Sequence, residues 1–165
     1  MALLIRKAKE ADMDQVLELI QELATFEKEP DAVEISTKEL IKEGFGKDPL
    51  FVCFVAEEAG KILGAALVYF RFSTWKGRSL HLEDLIVSEQ HRGKGIGSML
   101  YRKVMEYAYQ KKVSRVEWVV LDWNHPAIAF YEKSGASLLK DWYLVQMDKE
   151  GVASFLEEQS TDESI

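Results

Sequence analysis

Glu83-Asp84 opens an apolar run of branched side chains, Leu85-Ile86-Val87, which breaks off at a short polar link. Arg92-Gly93-Lys94-Gly95-Ile96-Gly97 follows, and Ser98 to Tyr107 then reads as a helix. Strand, glycine loop and helix in that order aim several backbone N–H groups at one anionic group beside a helix N-terminus. The segment therefore predicts a site for a phosphate-bearing ligand. Two familiar phosphate loops fail here. No Gly-Lys is followed by Ser or Thr at P-loop spacing, and G-x-G-x-x-G meets Ser98 from Gly93 and Leu100 from Gly95 where the last glycine belongs. What fits is R-x-x-G-x-G, on Arg92, Gly95 and Gly97. The same residues also suit a strand-to-helix turn that holds no ligand.

Size and charge narrow the classes. At 165 residues and 47% apolar content, one domain with a packed core is expected. No apolar stretch reaches the roughly 18 residues of a membrane span. Met1 to Arg6 lacks the leading charge and the long apolar region of a secretory signal. A net charge of −7 argues against nucleic acid and suits a small cationic partner. His81, His91 and His125 lack metal-ligand spacing, so no metal is expected. Cys53 is the single cysteine, which excludes an internal disulfide and makes a cytoplasmic setting the expectation. It reads as a small buried side chain rather than a nucleophile.

Leu3 to Lys7 is a predicted strand. Asp12 and Gln15 have capping-box spacing ahead of Val16, Leu19, Ile20, Leu23 and Ala24 at helical intervals. Ser36 with Glu39 opens a second helix, closing near Gly44 to Gly46. Strands are predicted over about 50–58, 61–72 and 79–87. The helix after the glycine loop should run to Lys111, followed by a strand from Arg115 to Leu121, a helix from Pro126 to Ser134 and a last strand from Ser137 to Asp148. Residues 1–150 form the expected domain, and residues 151–165 an acidic tail expected to fray. The order β-α-α-β-β-β-α-β-α-β implies an α+β domain around a mixed, mostly antiparallel sheet flanked by helices.

R-x-x-G-x-G resembles the acetyl-CoA pyrophosphate loop of the GNAT acyltransferase superfamily, and the element order is similar to the GNAT fold. A second segment strengthens the likeness. Asn124, Ala127, Phe130, Tyr131 and Gly135 spell N-x-x-A-x-x-F-Y-x-x-x-G, similar to the other GNAT signature. Scattered motifs, among them Phe26-Glu27-Lys28, Ser73-Thr74-Trp75-Lys76-Gly77-Arg78 and Leu121-Asp122-Trp123-Asn124, resemble the diamine acetyltransferase family, which acetylates spermidine and spermine. They are most similar to its thialysine-acetylating branch.

The resemblance implies an acetyl-CoA-dependent N-acetyltransferase, a homodimer by family habit, acting on a small cationic amine. Glu83 would remove the proton from the amine, and Tyr131 would protonate the departing sulfur. Glu83 also reads as an exposed carboxylate or ion-pair partner, and Tyr131 as a core aromatic. Coenzyme contacts would come from Leu85, Ile86, Val87, Arg92, Gly93, Lys94, Gly95, Ile96, Gly97, Ser98, Asn124, Pro126, Ala127 and Tyr131. Phe26, Glu27, Trp75, Asp122 and Trp123, with Glu83, would hold the acceptor, an acidic and aromatic lining suited to an ammonium. Where the polyamine enzymes carry an acid before the Trp, this chain has Ser73. That departure favours a thialysine-like or lysine-like amine. Spermidine or spermine is the alternative acceptor, a protein lysine a third, and a non-catalytic acyl-CoA sensor the alternative outside enzymes.

Overall fold

The computed structural model describes residues 2–162. The chain divides into two compact units, Met1–Leu121 and Asp122–Ile165. In the first, β1 (Leu4–Lys7), β2 (Val52–Glu58), β3 (Lys61–Ser73), β4 (Gly77–Val87) and β5 (Arg115–Glu117) form one sheet in sequence order. The first three pairings are antiparallel and β4–β5 is parallel. Helices α1 (Met13–Phe26) and α2 (Thr37–Phe45) precede β2, and α3 (Ile96–Gln110) connects β4 to β5. The expected α+β order holds from β1 to β5.

Each face of the sheet has its own apolar cluster. Phe54, Leu80, Leu82, Leu100 and Val104 pack on the α3 side. Met13, Val16, Leu19, Val55 and Ile86 pack on the α1 and α2 side. Side chains this deeply buried contribute about 2–3 kcal/mol each. Gly64 brings β3 and β4 close together: a Cβ there would lie 2.8 Å from the Ile86 carbonyl and 3.0 Å from Leu100 Cδ1. Cys53 is buried in β2, its thiol 3.7 Å from the Phe54 carbonyl.

A bulge in β4 matters for the site. Leu67 pairs with Asp84 while Val68 pairs with Leu82, which leaves Glu83 as the extra residue. Side chains alternate along a strand. Leu80 and Leu82 face the α3 cluster, yet beyond the bulge it is Leu85 and Val87 that pack there, and Ile86 that faces α1. The alternation has slipped by one. By alternation from His81 on one side and Ile86 on the other, Glu83 and Asp84 fall on the same face, turned toward α1.

Three local expectations are corrected. Asp12 precedes α1 without capping it through its side chain. Its carboxylate is engaged one turn earlier by Arg6, at 2.7 Å, and by the Lys9 N–H, at 2.7 Å, while Gln15 accepts from the Ile62 N–H at 2.9 Å. The Ser36–Glu39 box, by contrast, forms as read. β5 stops at Glu117 rather than Leu121, and Ser137 to Asp148 carries no strand. The second unit instead holds α4 (His125–Lys133) and α5 (Lys149–Asp162). Helix α5 covers most of the segment expected to fray; Asp148 Oδ1 accepts the Gly151 N–H at 2.8 Å in its first turn. Residues 163–165 lie outside the described residues.

Candidate active site

β5 pairs with β4 only at Ser79, Leu80 and His81. From Leu82 to Val87, that edge of β4 has no strand partner among the described residues, the kind of edge with which an extended ligand can pair. Leu85, Ile86 and Val87 end β4 there, with Ile86 buried. The chain then turns through Gly93 at φ +75° and Gly95 at φ +80°. Nothing lies within 4 Å of a Cβ at either position, so what these sites demand of glycine is the left-handed backbone. Gly95 caps α3, and the first N–H groups of that helix, through Ile96, Gly97 and Ser98, have no acceptor within the helix. The loop fits a pyrophosphate: left-handed glycines, free N–H groups and the positive end of a 15-residue helix.

Arg92 and Lys94 are exposed. The Arg92 side chain turns back toward α1: Nε donates to the Val87 carbonyl at 3.0 Å, and the guanidinium lies 5.0 Å from the centre of the Phe26 ring. Glu22 lies 3.8 Å from it and accepts the Glu89 N–H at 2.5 Å. Glu22, Phe26, Glu89 and Arg92 line an open cleft of about 440 Å³. Phe26 ends α1 and Glu27 follows it, its carboxyl raised above the usual range by burial. The end of α1 and the glycine loop are thus brought together.

Glu83 is half-exposed on β4. Its Oε2 accepts from the Tyr69 hydroxyl at 3.2 Å and lies 3.3 Å from His81 Nε2. The His81 hydrogen bond holds Glu83 below the ordinary carboxylate range. Its neighbour Asp84 is pushed the other way, to about 7, by burial and then by the charges of Glu83 and Glu27. Two adjacent carboxylates with separated affinities for a proton are what acid–base chemistry requires. Sequence reasoning passed over His81, Tyr69 and Asp84 as site residues. An alternating His81-Leu82-Glu83 was the only signal of the first, and the bulge that turns Asp84 inward left none.

Trp75 is not brought to Glu83. It sits at the tip of the β3–β4 hairpin, 80% exposed, and six residue steps along β4, roughly 20 Å, lead from Gly77 to Glu83. Ser73 has a structural task in that tip, its hydroxyl accepting the Trp75 and Lys76 N–H groups at 3.2 and 3.1 Å.

In the second unit, Asp122 is exposed, while Trp123 and Asn124 are partly buried. Asn124 caps α4, its Oδ1 accepting the Ala127 N–H at 3.4 Å, with Pro126 in the first turn, where its missing N–H costs nothing. Tyr131 is partly buried, its ring 5.6 Å from Phe130 in an edge-to-face contact.

The chain is similar to known proteins in sequence and in fold. The bovine (Bos taurus) thialysine N-epsilon-acetyltransferase is 41% identical over 160 residues, spanning 90% of this chain and 94% of that protein. The human spermidine/spermine N(1)-acetyltransferase-like protein 1 is 34% identical over 156 residues, 88% of this chain and 22% of that protein. An integron cassette protein from the mobile metagenome of V. cholerae superposes with a TM-score of 0.77 at 24% identity, covering 95% of this chain and 99% of that one. Residues 13–136, from the start of α1 to just past α4, match the Acetyltransferase (GNAT) family, and with the sheet, the glycine loop and the relatives in agreement, the chain belongs to that family.

Proposed function

We propose that this protein is an acetyl-CoA-dependent amine N-acetyltransferase whose acceptor is a small cation of the thialysine or lysine type. The observation that carries the reading is Glu83, held ionised by His81 and Tyr69 beside the open edge of β4 that leads into the glycine loop. Acetyl-CoA would supply an acetyl thioester already activated toward amines. Gly93 to Ser98 would cradle its pyrophosphate, with Arg92 and Lys94 adding positive charge. Leu85, Ile86 and Val87 would pair with the pantetheine arm, with Asn124, Pro126, Ala127 and Tyr131 contributing from α4 and the turn before it.

An alkylammonium, of pKa about 10.4, has no lone pair and cannot attack until it loses a proton. Glu83 accepts that proton, through a water. The freed amine attacks the thioester carbonyl, and the Val87 N–H stabilises the oxyanion. A C–N bond forms, the C–S bond breaks, the Tyr131 hydroxyl gives its proton to the leaving sulfur, and the second proton released by the acylated nitrogen restores the Tyr131 hydroxyl. Phe26, Glu27, Asp122 and Trp123 would hold the ammonium by charge and cation–π attraction, while Trp75, at the far tip of the β3–β4 hairpin, leaves this set.

Ser73 supports the choice of acceptor. A hydroxyl that ties down its own turn offers no charge to a distant ammonium, so a long polycation loses more than an amino acid does. We read residues 1–150 as one catalytic domain, since the family match crosses both units, and expect a cytoplasmic homodimer.

The test is acetyl-CoA turnover with thialysine, lysine, ornithine, putrescine, spermidine and spermine, with products identified by mass. Preference for thialysine or lysine is the expected outcome. Preference for spermidine or spermine would overturn the acceptor and keep the mechanism, whereas coenzyme binding without turnover of any amine would point to a sensor.

A further inference from the structure

Cross-strand register puts a polar row on the face of the sheet that looks away from α3. Tyr69 on β3, His81 on β4 and Glu117 on β5 are direct register partners, and the next row is Arg71, Ser79 and Arg115. His81 is only 9% exposed, and both of its ring nitrogens have partners. Nε2 lies 3.3 Å from Glu83 Oε2, and Nδ1 lies 3.4 Å from Arg71 Nη1. An ionised carboxylate only accepts hydrogen bonds and a guanidinium only donates them. The hydrogen-bond partners therefore assign the proton to Nε2 and the lone pair to Nδ1. Arg71 is itself fixed, since Nη1 also reaches Glu117 Oε1 at 2.9 Å, and Arg115 Nε holds the other Glu117 oxygen at 2.9 Å.

We propose that His81 is a positioning residue for acetyl transfer: locked as the Nε2–H tautomer by the Arg71–Glu117–Arg115 chain, it aims the Glu83 carboxylate at the acceptor amine. The inference rests on the role given to Glu83 above and extends it across three adjacent strands, to residues that touch no substrate. Facing the ring are Tyr69 and Arg71 from β3, Glu83 and Asp84 from β4, and Glu117 from β5. Of these, Tyr69 donates to the same oxygen as His81, so two donors from two strands converge on Glu83 Oε2 and leave Oε1 for the proton path.

The experiment compares His81→Phe, His81→Gln and Glu83→Gln in the full chain. Phe removes the donor, and Gln restores an N–H near the position of Nε2. A hydrogen bond to a charged group is worth enough to change a rate by about ten- to a hundredfold. His81→Phe should lose kcat by that factor, keep the KM for acetyl-CoA, and move the acidic limb of the kcat/KM profile to higher pH. His81→Gln should recover most of the loss, which a ring kept only for packing would not allow. If Glu83→Gln abolishes turnover while His81→Phe leaves kcat and the acidic limb in place, the inference falls and the role of Glu83 stands. If Glu83→Gln turns over like the parent, both fall. Imidazole nitrogen NMR of the unmodified chain at neutral pH gives a check that needs no variant to fold: a protonated Nε2 on His81 is expected, and a protonated Nδ1 would overturn the lock.

Discussion

Asp12 and Asp84 are carboxylates that their surroundings push in opposite directions, so they should respond to pH with opposite sign. Hydrogen bonding from Arg6 holds Asp12 below its usual range. Its stabilisation is present above the unfolded value of about 4 and is lost as pH falls through the folded one. Asp12→Asn should cost about 2 kcal/mol at neutral pH, and the difference from the parent should shrink toward acid, as urea unfolding would show. Asp84 sits at about 7, above its unfolded value. Its contribution is favourable in acid and is lost as pH rises from about 4 through 7. Asp84→Asn should therefore be more stable than the parent above neutral pH, by roughly 1–3 kcal/mol, and equal to it in acid. At the proposed acid, Tyr131→Phe should lower kcat about a hundredfold and weaken coenzyme affinity, read by calorimetry, far less than that.

At the scale of elements, the glycine loop and α3 stand or fall together. Gly95 is at once the left-handed turn and the cap of the helix whose N-terminus would meet the pyrophosphate. Gly95→Ala adds one methyl that meets no neighbour but strains the backbone by about 1–2 kcal/mol, so coenzyme Kd should rise about tenfold with little change in kcat at saturation. This element was legible in advance because its signals are local: branched run, glycines, amphipathic helix. The Ser36–Glu39 box was legible for the same reason. The bulge at Glu83 was not, since it exists only in the register with β3. Nor was the His81–Arg71–Glu117 chain, which joins residues 36 or more positions apart in part of its course by placing three strands side by side. The alternation in Ser137 to Asp148 misled for a related reason: a strand needs a neighbour to pair with, and periodicity does not provide one.

At the scale of the whole molecule, the buried apolar residues of the described chain all lie at or before Ala108, within the first unit. The second unit carries large apolar side chains at its surface, Trp142 at 67% exposure, Tyr143 at 91% and Val145 at 87% among them. The homodimer proposed above would bury apolar side chains of this kind. Sedimentation equilibrium should accordingly give twice the chain mass at micromolar concentration, and Tyr143→Asp with Val145→Asp should return it toward one. The same molecule holds one sulfhydryl, and burial pushes the Cys53 thiol up to about 12. A thiol kept protonated and out of reach does not exchange with disulfides. A chromogenic aromatic disulfide added to a working assay would therefore be blind to the catalyst and would count only liberated coenzyme, one colour equivalent per acetyl group moved, while the same reagent in denaturant would titrate the protein itself.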